Sequence, residues 1–122
     1  MRDGIRAAHR VIASYAVKDP EERIRLLASA RAIDPECFNA LNGMGYAYLE
    51  MGKTAEAIDA FSLAVHAFPQ DKAGYCDLAY AYKVAGETDL CLKYLRRAVE
   101  VDASARDDVA RDPRFADVRD GV

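Results

Sequence analysis

The sequence contains few of the residues that mark disulfide frameworks or proline-rich linkers, with three cysteines and four prolines in 122 residues. The odd cysteine count and the spacing of Cys37, Cys76 and Cys91 predict reduced thiols rather than a disulfide framework. The first ten residues carry charges throughout, and no apolar run near the start is long enough for a secretory signal or a membrane span. We therefore expect a soluble cytoplasmic protein without a membrane partner.

No catalytic or metal-binding arrangement is recognisable either. His9 and His66 have no Cys, Asp or Glu partner at a spacing suited to metal ligands. Gly43 and Gly45 form a Gly-x-Gly, but it lies inside a predicted helix instead of the strand-loop-helix context of a phosphate loop. The sequence thus predicts no enzyme, no cofactor and no metal.

Positive charge is scarce, since the formal net charge is -3. A general nucleic-acid binder needs a basic stripe along one face, so we expect no nucleic-acid partner. The charges are also unevenly distributed: residues 1–35 carry seven basic and five acidic groups, whereas residues 36–71 carry one basic and five acidic. A cationic partner segment therefore suits the middle of the chain better than an anionic one.

The stretch from Phe38 to Pro69 is the most regular part of the chain. Its apolar spacing predicts two short amphipathic helices. Gly52 between them suits the left-handed conformation that ends helices, and Thr54 is predicted to cap the second helix. Gly45 inside the first helix weakens that helix by about 1 kcal/mol relative to Ala, so its presence predicts close helix packing.

The same pattern recurs 34 residues later. Small residues, tyrosines and the turn glycine coincide in the pairs Gly52 and Gly86, Tyr46 and Tyr80, Tyr48 and Tyr82, Ala64 and Ala98. A fixed period of this length is typical of arrays of helical hairpins. The unit at the N-terminus matches only in its second half, where Ala30 and Pro35 precede Ala64 and Pro69 by the same interval.

The chain resembles the tetratricopeptide repeat proteins. The matching positions are Leu41, Met44, Gly45, Tyr48, Ala57, Phe61, Ala64 and Pro69, then Tyr75, Leu78, Ala79, Tyr82, Tyr94 and Ala98. The resemblance implies an all-α, right-handed α-solenoid of three helix-turn-helix hairpins with short C-terminal capping helices. It divides a single domain, residues 1–122, into a degenerate repeat 4–37, a repeat 38–71, a repeat 72–103 and a cap 104–122. Tails containing Asp-Pro-Arg-Phe, as at 112–115, recur in similar bacterial proteins and suggest a bacterial source.

Helix limits and buried faces follow from the apolar spacing. We expect helices at 3–17, 20–33, 71–85 and 88–101, in addition to the central pair. The first should carry its apolar residues on one side, namely Ile5, Ala8, Val11, Ile12 and Tyr15. The second should bury Ile24, Leu27, Ala28 and Ala30. Phe115 and Val118 of the cap are expected to cover the end of the last hairpin.

In the family that the chain resembles, the first helix of each hairpin lines a concave groove that binds the partner. The resemblance therefore implies a partner-binding groove that, besides Ile5, Ala8, His9 and Ile12 of the first helix, contains Tyr15, Asn39, Asn42, Tyr46, Leu49, Glu50, Cys76, Asp77, Tyr80 and Lys83. Tyr46 and Tyr80 occupy equivalent places, and tyrosine buries much area at low entropic cost. Packing between neighbouring helices is the alternative role for the tyrosines.

One family function is disfavoured by the residues present. Members that hold the C-terminal carboxylate of a heat-shock chaperone use Lys, Asn and Arg side chains. The corresponding positions here are Ala8, Ile12, Gly43, Ala73 and Asp77. These residues supply no charge-assisted hydrogen bonds to a carboxylate, so we expect that this protein does not bind one.

The sequence thus predicts a non-catalytic interaction module that binds a peptide or helical segment of another protein in its groove. Two alternatives stay open. A homo-oligomeric structural protein would pack its N-terminal helix against a second copy, because Val11 and Ile12 cannot both face one neighbour. A small secretion-type chaperone would have similar length and acidity.

Overall fold

The structure is a computed structural model that describes residues 2–35 and 37–122, except for the side chain of Arg2. Over these residues it contains α-helices and two short 3-10 turns and no strand. The helices are α1 (Arg2–Ser14), α2 (Pro20–Ile33), α3 (Phe38–Glu50), α4 (Thr54–Ala67), α5 (Lys72–Val84), α6 (Thr88–Val101) and α7 (Ala105–Arg111), and the turns are Pro113–Phe115 and Arg119–Gly121. The expected all-α fold class is confirmed.

Consecutive helices pack in pairs, α1 with α2, α3 with α4, and α5 with α6. The limits of α2 and α6 agree with the predicted limits, whereas α1 ends at Ser14, three residues before the predicted end. A turn follows α1, closed by hydrogen bonds that the amides of residues 15–17 donate to carbonyls three residues earlier.

Two helix starts have side-chain caps. Asp19 accepts a hydrogen bond from the Glu21 amide at 3.3 Å, with Pro20 at the first helical position. Asp71 accepts one from the Ala73 amide at 2.9 Å. An N-cap carboxylate satisfies an amide that has no partner inside the helix, so these residues fix where α2 and α5 begin. Thr54, in contrast, is the first residue of α4 and not its cap.

The turns of the second and third hairpins are built alike. Gly52 and Gly86 have φ of 73° and 80°, the left-handed conformation that glycine adopts without steric cost. The next amide in each turn donates to the tyrosine carbonyl five residues earlier, Lys53 to Tyr48 at 2.8 Å and Glu87 to Tyr82 at 2.9 Å. This is the Schellman arrangement at a helix end, repeated at the 34-residue period.

The chain forms two compact units, one ending at Ala67 and one beginning at Phe68. In the first unit, α1 to α4 enclose a core of Ala7, Val11, Leu27, Ala30, Ala40, Met44 and Ala60. Gly45 is buried against Phe61: a Cβ at this position would lie 2.3 Å from Phe61 Cε1. The predicted close approach of α3 and α4 at Gly45 is therefore present.

In the second unit, the C-terminal segment (residues 104–122) packs on α5 and α6. The core consists of Ala79, Cys91, Leu95, Val109 and Phe115. Phe115 is 1% exposed, and Val118 and Val122 pack at the edge of this cluster. The segment covers the last hairpin as expected, with one short helix followed by two 3-10 turns.

The predicted buried face of α1 was wrong. Ala7, Val11 and Ser14 are buried, whereas Ile5, Ile12 and Tyr15 are exposed. Ala28 of α2, expected in the core, is also exposed. In both helices apolar residues occupy two sides, and only one side packs against the neighbouring helices.

None of the helices in the described part of the chain has the length and apolar character needed to cross a lipid bilayer.

Candidate functional site

Helix α1 carries an apolar stripe on the side opposite its buried face. Ile5, Ile12 and Tyr15 are 57%, 63% and 72% exposed, and Ala8 is exposed as well. At 100° per residue these four positions fall within an arc of about 80°. The buried positions, Ala7, Val11 and Ser14 in the preceding section, lie on the far side. An apolar stripe without a partner in the protein is a typical feature of a binding surface.

Helix α3 is the first helix of the second hairpin and contacts α1. Of its predicted groove residues, Asn39 is exposed, and Asn42, Tyr46 and Leu49 are half-buried. The Tyr46 ring packs edge-on against Phe61, with centroids 5.1 Å apart and an interplanar angle of 71°. Tyr46 therefore packs within its own hairpin while keeping part of its surface accessible.

Glu50, the last predicted groove residue of α3, forms an ion pair. Its Oε2 lies 2.8 Å from a terminal nitrogen of Arg23 at the start of α2, and Arg23 also donates to the Lys18 carbonyl. The Arg23 Nε is buried without a hydrogen-bond partner in the described structure. Sequence reasoning missed this pair, because the 27 residues between its members give no local signal of their proximity.

In the second unit, two of the predicted groove residues of α5 contact the C-terminal segment. The Tyr80 ring lies edge-on to Phe115 at 6.4 Å between centroids, and the Arg114 guanidinium lies 4.6 Å from the Tyr80 centroid. Lys83 Nζ is 3.1 Å from Asp117 Oδ1. This ion pair lowers the pKa of Asp117.

The other two, Cys76 and Asp77, line a cavity of about 210 Å³ between α5 and the C-terminal segment. Lys72 and Asp108 form an ion pair of 2.6 Å at this cavity. Burial, with a smaller contribution from the Asp77 charge, raises the pKa of the Cys76 thiol to about 11. A thiol that remains protonated at neutral pH is a poor nucleophile and a poor metal ligand.

The ion pair of Asp112 and Arg114 closes one side of this cavity. Three contacts of 2.8 to 3.1 Å join the guanidinium to the two carboxylate oxygens. The hydrogen bond from Arg114, opposed by partial desolvation, lowers the pKa of Asp112. Charge-assisted contacts of this kind fix the conformation of the Asp-Pro-Arg-Phe tail against α5.

No group of three or more His, Cys, Asp or Glu side chains suited to a metal ion occurs within residues 2–35 and 37–122. His9 and His66, the two histidines, are exposed on α1 and α4. The chemistry available at the described surface is apolar contact, hydrogen bonding by Asn and Tyr, and ion pairing.

The comparisons with known proteins agree with the hairpin geometry. Two models of the tetratricopeptide repeat match the sequence, one over residues 14–75 and one over residues 73–104. The chain belongs to the tetratricopeptide repeat family. Arrays of such hairpins form extended surfaces that bind other proteins, and this family assignment supports a protein-interaction module.

Several crystal structures of MamA are similar in fold. One matches with a TM-score of 0.69 and 24% identity over 77% of this chain and 51% of the MamA chain. A MamA point mutant matches with a TM-score of 0.68 and 24% identity over 81% of this chain and 72% of the other. The chain thus spans about half the length of the first of these structures, and the likeness concerns the fold. A comparison with curated proteins finds no match.

Proposed function

We propose that this tetratricopeptide repeat protein is a non-catalytic adaptor that binds a segment of a partner protein on the first helices of its hairpins. The observation that carries the proposal is the exposed stripe of Ile5, Ala8, Ile12 and Tyr15 on α1. Its four side chains cover one face of the helix opposite the face that packs on α2. A partner that covers the stripe removes this apolar surface from water.

The polar residues of α3 supply the specific contacts in this proposal. Asn39 and Asn42 can each donate and accept hydrogen bonds, which suits the backbone of an extended segment. Tyr46 and Leu49 add accessible apolar surface. Glu50 contributes less, because its carboxylate already pairs with Arg23 at 2.8 Å.

In the second unit, the proposed contacts are concentrated at the cavity beside Cys76 and Asp77. Tyr80 and Lys83 already contact Phe115 and Asp117 of the C-terminal segment. A partner that binds these two side chains must therefore compete with the C-terminal segment. We assign the main binding energy to the first unit for this reason.

Site-specific photo-crosslinking in the host cell tests the proposal. A photoreactive residue at Ile12 should capture a partner, whereas one at Val84, which is 49% exposed at the end of α5, should not. With the partner purified, calorimetry should show binding at least tenfold weaker for Ile12→Ser with Tyr15→Ser, since both are apolar anchors. Val84→Ser is the matched control and should bind like wild type. Equal loss in both variants would contradict the proposed surface.

The exposed stripe also favours a second candidate, self-association through α1. A symmetric dimer would bury the same residues in both copies. Sedimentation of the purified protein over a range of concentrations distinguishes the two. A monomer at all concentrations would remove this candidate, and a dimer that Ile12→Ser with Tyr15→Ser converts to monomer would replace the adaptor proposal.

A further inference from the structure

The first unit contains an open cleft between α2 and α4 that is separate from the stripe on α1. Its volume is about 170 Å³, and its floor is apolar, consisting of Leu41, Met44 and Ala60. Tyr48 and Leu63 add apolar walls, and Leu63 is 42% exposed. A second hollow, lined by Ala28, Ala32 and Pro35, continues from Arg31 and Met44 along α2. The two together form an apolar groove over Met44.

The two walls of the cleft carry opposite charges. Glu56 and Asp59 lie on the α4 wall, three residues apart and therefore neighbours on one side of the helix. Arg31 lies on the α2 wall. Among the described residues, none of these three side chains forms an ion pair within 4.0 Å, whereas Arg23 and Glu50 of the same unit pair at 2.8 Å. The two carboxylates are thus available to a cation from outside.

We infer that this cleft binds an arginine or lysine side chain of a partner protein. The aliphatic stem would lie on Met44, Tyr48 and Leu63, and the cationic head would lie between Glu56 and Asp59. Long basic side chains bury their stems on apolar surfaces while the charge stays at the rim, and this cleft offers both environments. Arg31 repels the cation from the opposite wall and so directs it to α4.

Charge complementarity carries the choice of occupant. Residues 36–71 carry one basic and five acidic groups, and the only basic group, Lys53, does not line the cleft. An acidic partner would meet two carboxylates and one guanidinium. A purely apolar partner would leave both carboxylates at its edge without a counter-ion.

A nuclear magnetic resonance titration tests the inference with a defined probe. The probe is a short, capped, alanine-rich helical peptide carrying one leucine and one arginine one turn apart. We expect saturable shifts of the amide resonances around Met44, Tyr48 and Asp59, and little change along α1. The citrulline version of the peptide keeps the shape and removes the charge, and it should bind roughly tenfold more weakly.

Substitutions in the protein provide the second arm. Glu56→Gln with Asp59→Asn should weaken binding of the arginine peptide about tenfold and leave binding of the citrulline peptide unchanged. The matched control, Asp107→Asn with Asp120→Asn, makes the same change in net charge at exposed sites outside the first unit and should bind like wild type.

Three results would overturn the inference. Equal affinity for the arginine and citrulline peptides would show that charge does not select the occupant. Tighter binding of a glutamate version would assign the cleft to an acidic partner through Arg31. Shifts confined to α1 would place the peptide on the stripe instead, which contradicts this inference and supports the proposed function.

Discussion

The contact between Gly45 and Phe61 gives the sharpest test of the packing. An alanine Cβ at position 45 would lie 2.3 Å from Phe61 Cε1 and 2.5 Å from Cζ. Favourable contacts between carbon atoms occur at about 3.5 to 4.0 Å, so a separation of more than 1 Å must be recovered. The Phe61 ring is fully buried, and its stiff aromatic plane cannot rotate its way out of the contact.

The expected cost combines two opposing effects. Overpacking a well-packed core costs about 1 to 3 kcal/mol, and the rigid ring places Gly45→Ala near the upper end. Replacing glycine by alanine inside a helix recovers about 1 kcal/mol. The free energy of unfolding should therefore fall by about 2 kcal/mol, which corresponds to a decrease in Tm of about 8 °C for a chain of this size.

Gly43→Ala is the matched control because Gly43 lies in the same helix. A Cβ there would lie 3.0 and 3.2 Å from the two methyl carbons of Leu27, the flexible end of its side chain. The small steric cost and the gain in helix propensity should nearly cancel, leaving stability within about 0.5 kcal/mol of wild type.

Urea unfolding followed by circular dichroism measures both variants. Repeating Gly45→Ala in a Phe61→Leu background should reduce the penalty, because the two positions are in direct contact and their effects are not additive. If Gly45→Ala proves as stable as Gly43→Ala, the packing of α3 on α4 described above is incorrect.

Three further predictions concern the second unit and its C-terminal segment. Phe115→Ala should lower the free energy of unfolding by about 3 to 5 kcal/mol in urea titrations, because it empties the core of the second unit; a loss below 1 kcal/mol would contradict its burial. Gly86→Ala should cost about 1 kcal/mol because φ there is 80°, whereas Gly4→Ala, which meets no neighbour within 4 Å, should not destabilise; equal melting temperatures would count against the left-handed turn. Because burial raises the pKa of Cys76 to about 11, the thiolate forms only as the pH rises towards that value, and iodoacetamide should label Cys76 at pH 8 about 100-fold more slowly than a free peptide thiol with an ordinary pKa of about 9. Peptide mapping by mass spectrometry measures that rate, and labelling at the free-peptide rate would refute the burial of the thiol.

The sequence by itself determined the repeated hairpin and its turns. Glycine at 52 and 86 is visible as a period of 34 residues, and the conformation that glycine alone adopts readily made both turns predictable. Gly45 was predictable for a similar reason, since a residue that weakens a helix signals a close neighbour. Asp19 and Asp71 mark helix starts through short-range hydrogen bonds to amides two residues later. All these features depend on residues near each other in the chain.

Only the tertiary structure decided which face of each helix is covered. Helix α1 carries apolar residues on two sides, and spacing alone does not distinguish the side of Val11 from the side of Ile12. The structure buries Val11 against the first-unit core and leaves Ile12 exposed, which creates the stripe on which the proposed function rests. Whether a periodic apolar face becomes core or surface depends on which helix packs against it, and that neighbour is set by contacts distant in sequence.

The same reason applies to the side chains proposed for binding. Tyr80 and Lys83 have the positions expected of groove residues, but Phe115 and Asp117, more than 30 residues away, contact them in the structure. The cleft beside Glu56 and Asp59 likewise requires α2, α3 and α4 to meet before its apolar floor exists. Local sequence determines where helices begin, turn and end, while the partners of their side chains follow from how distant segments pack together.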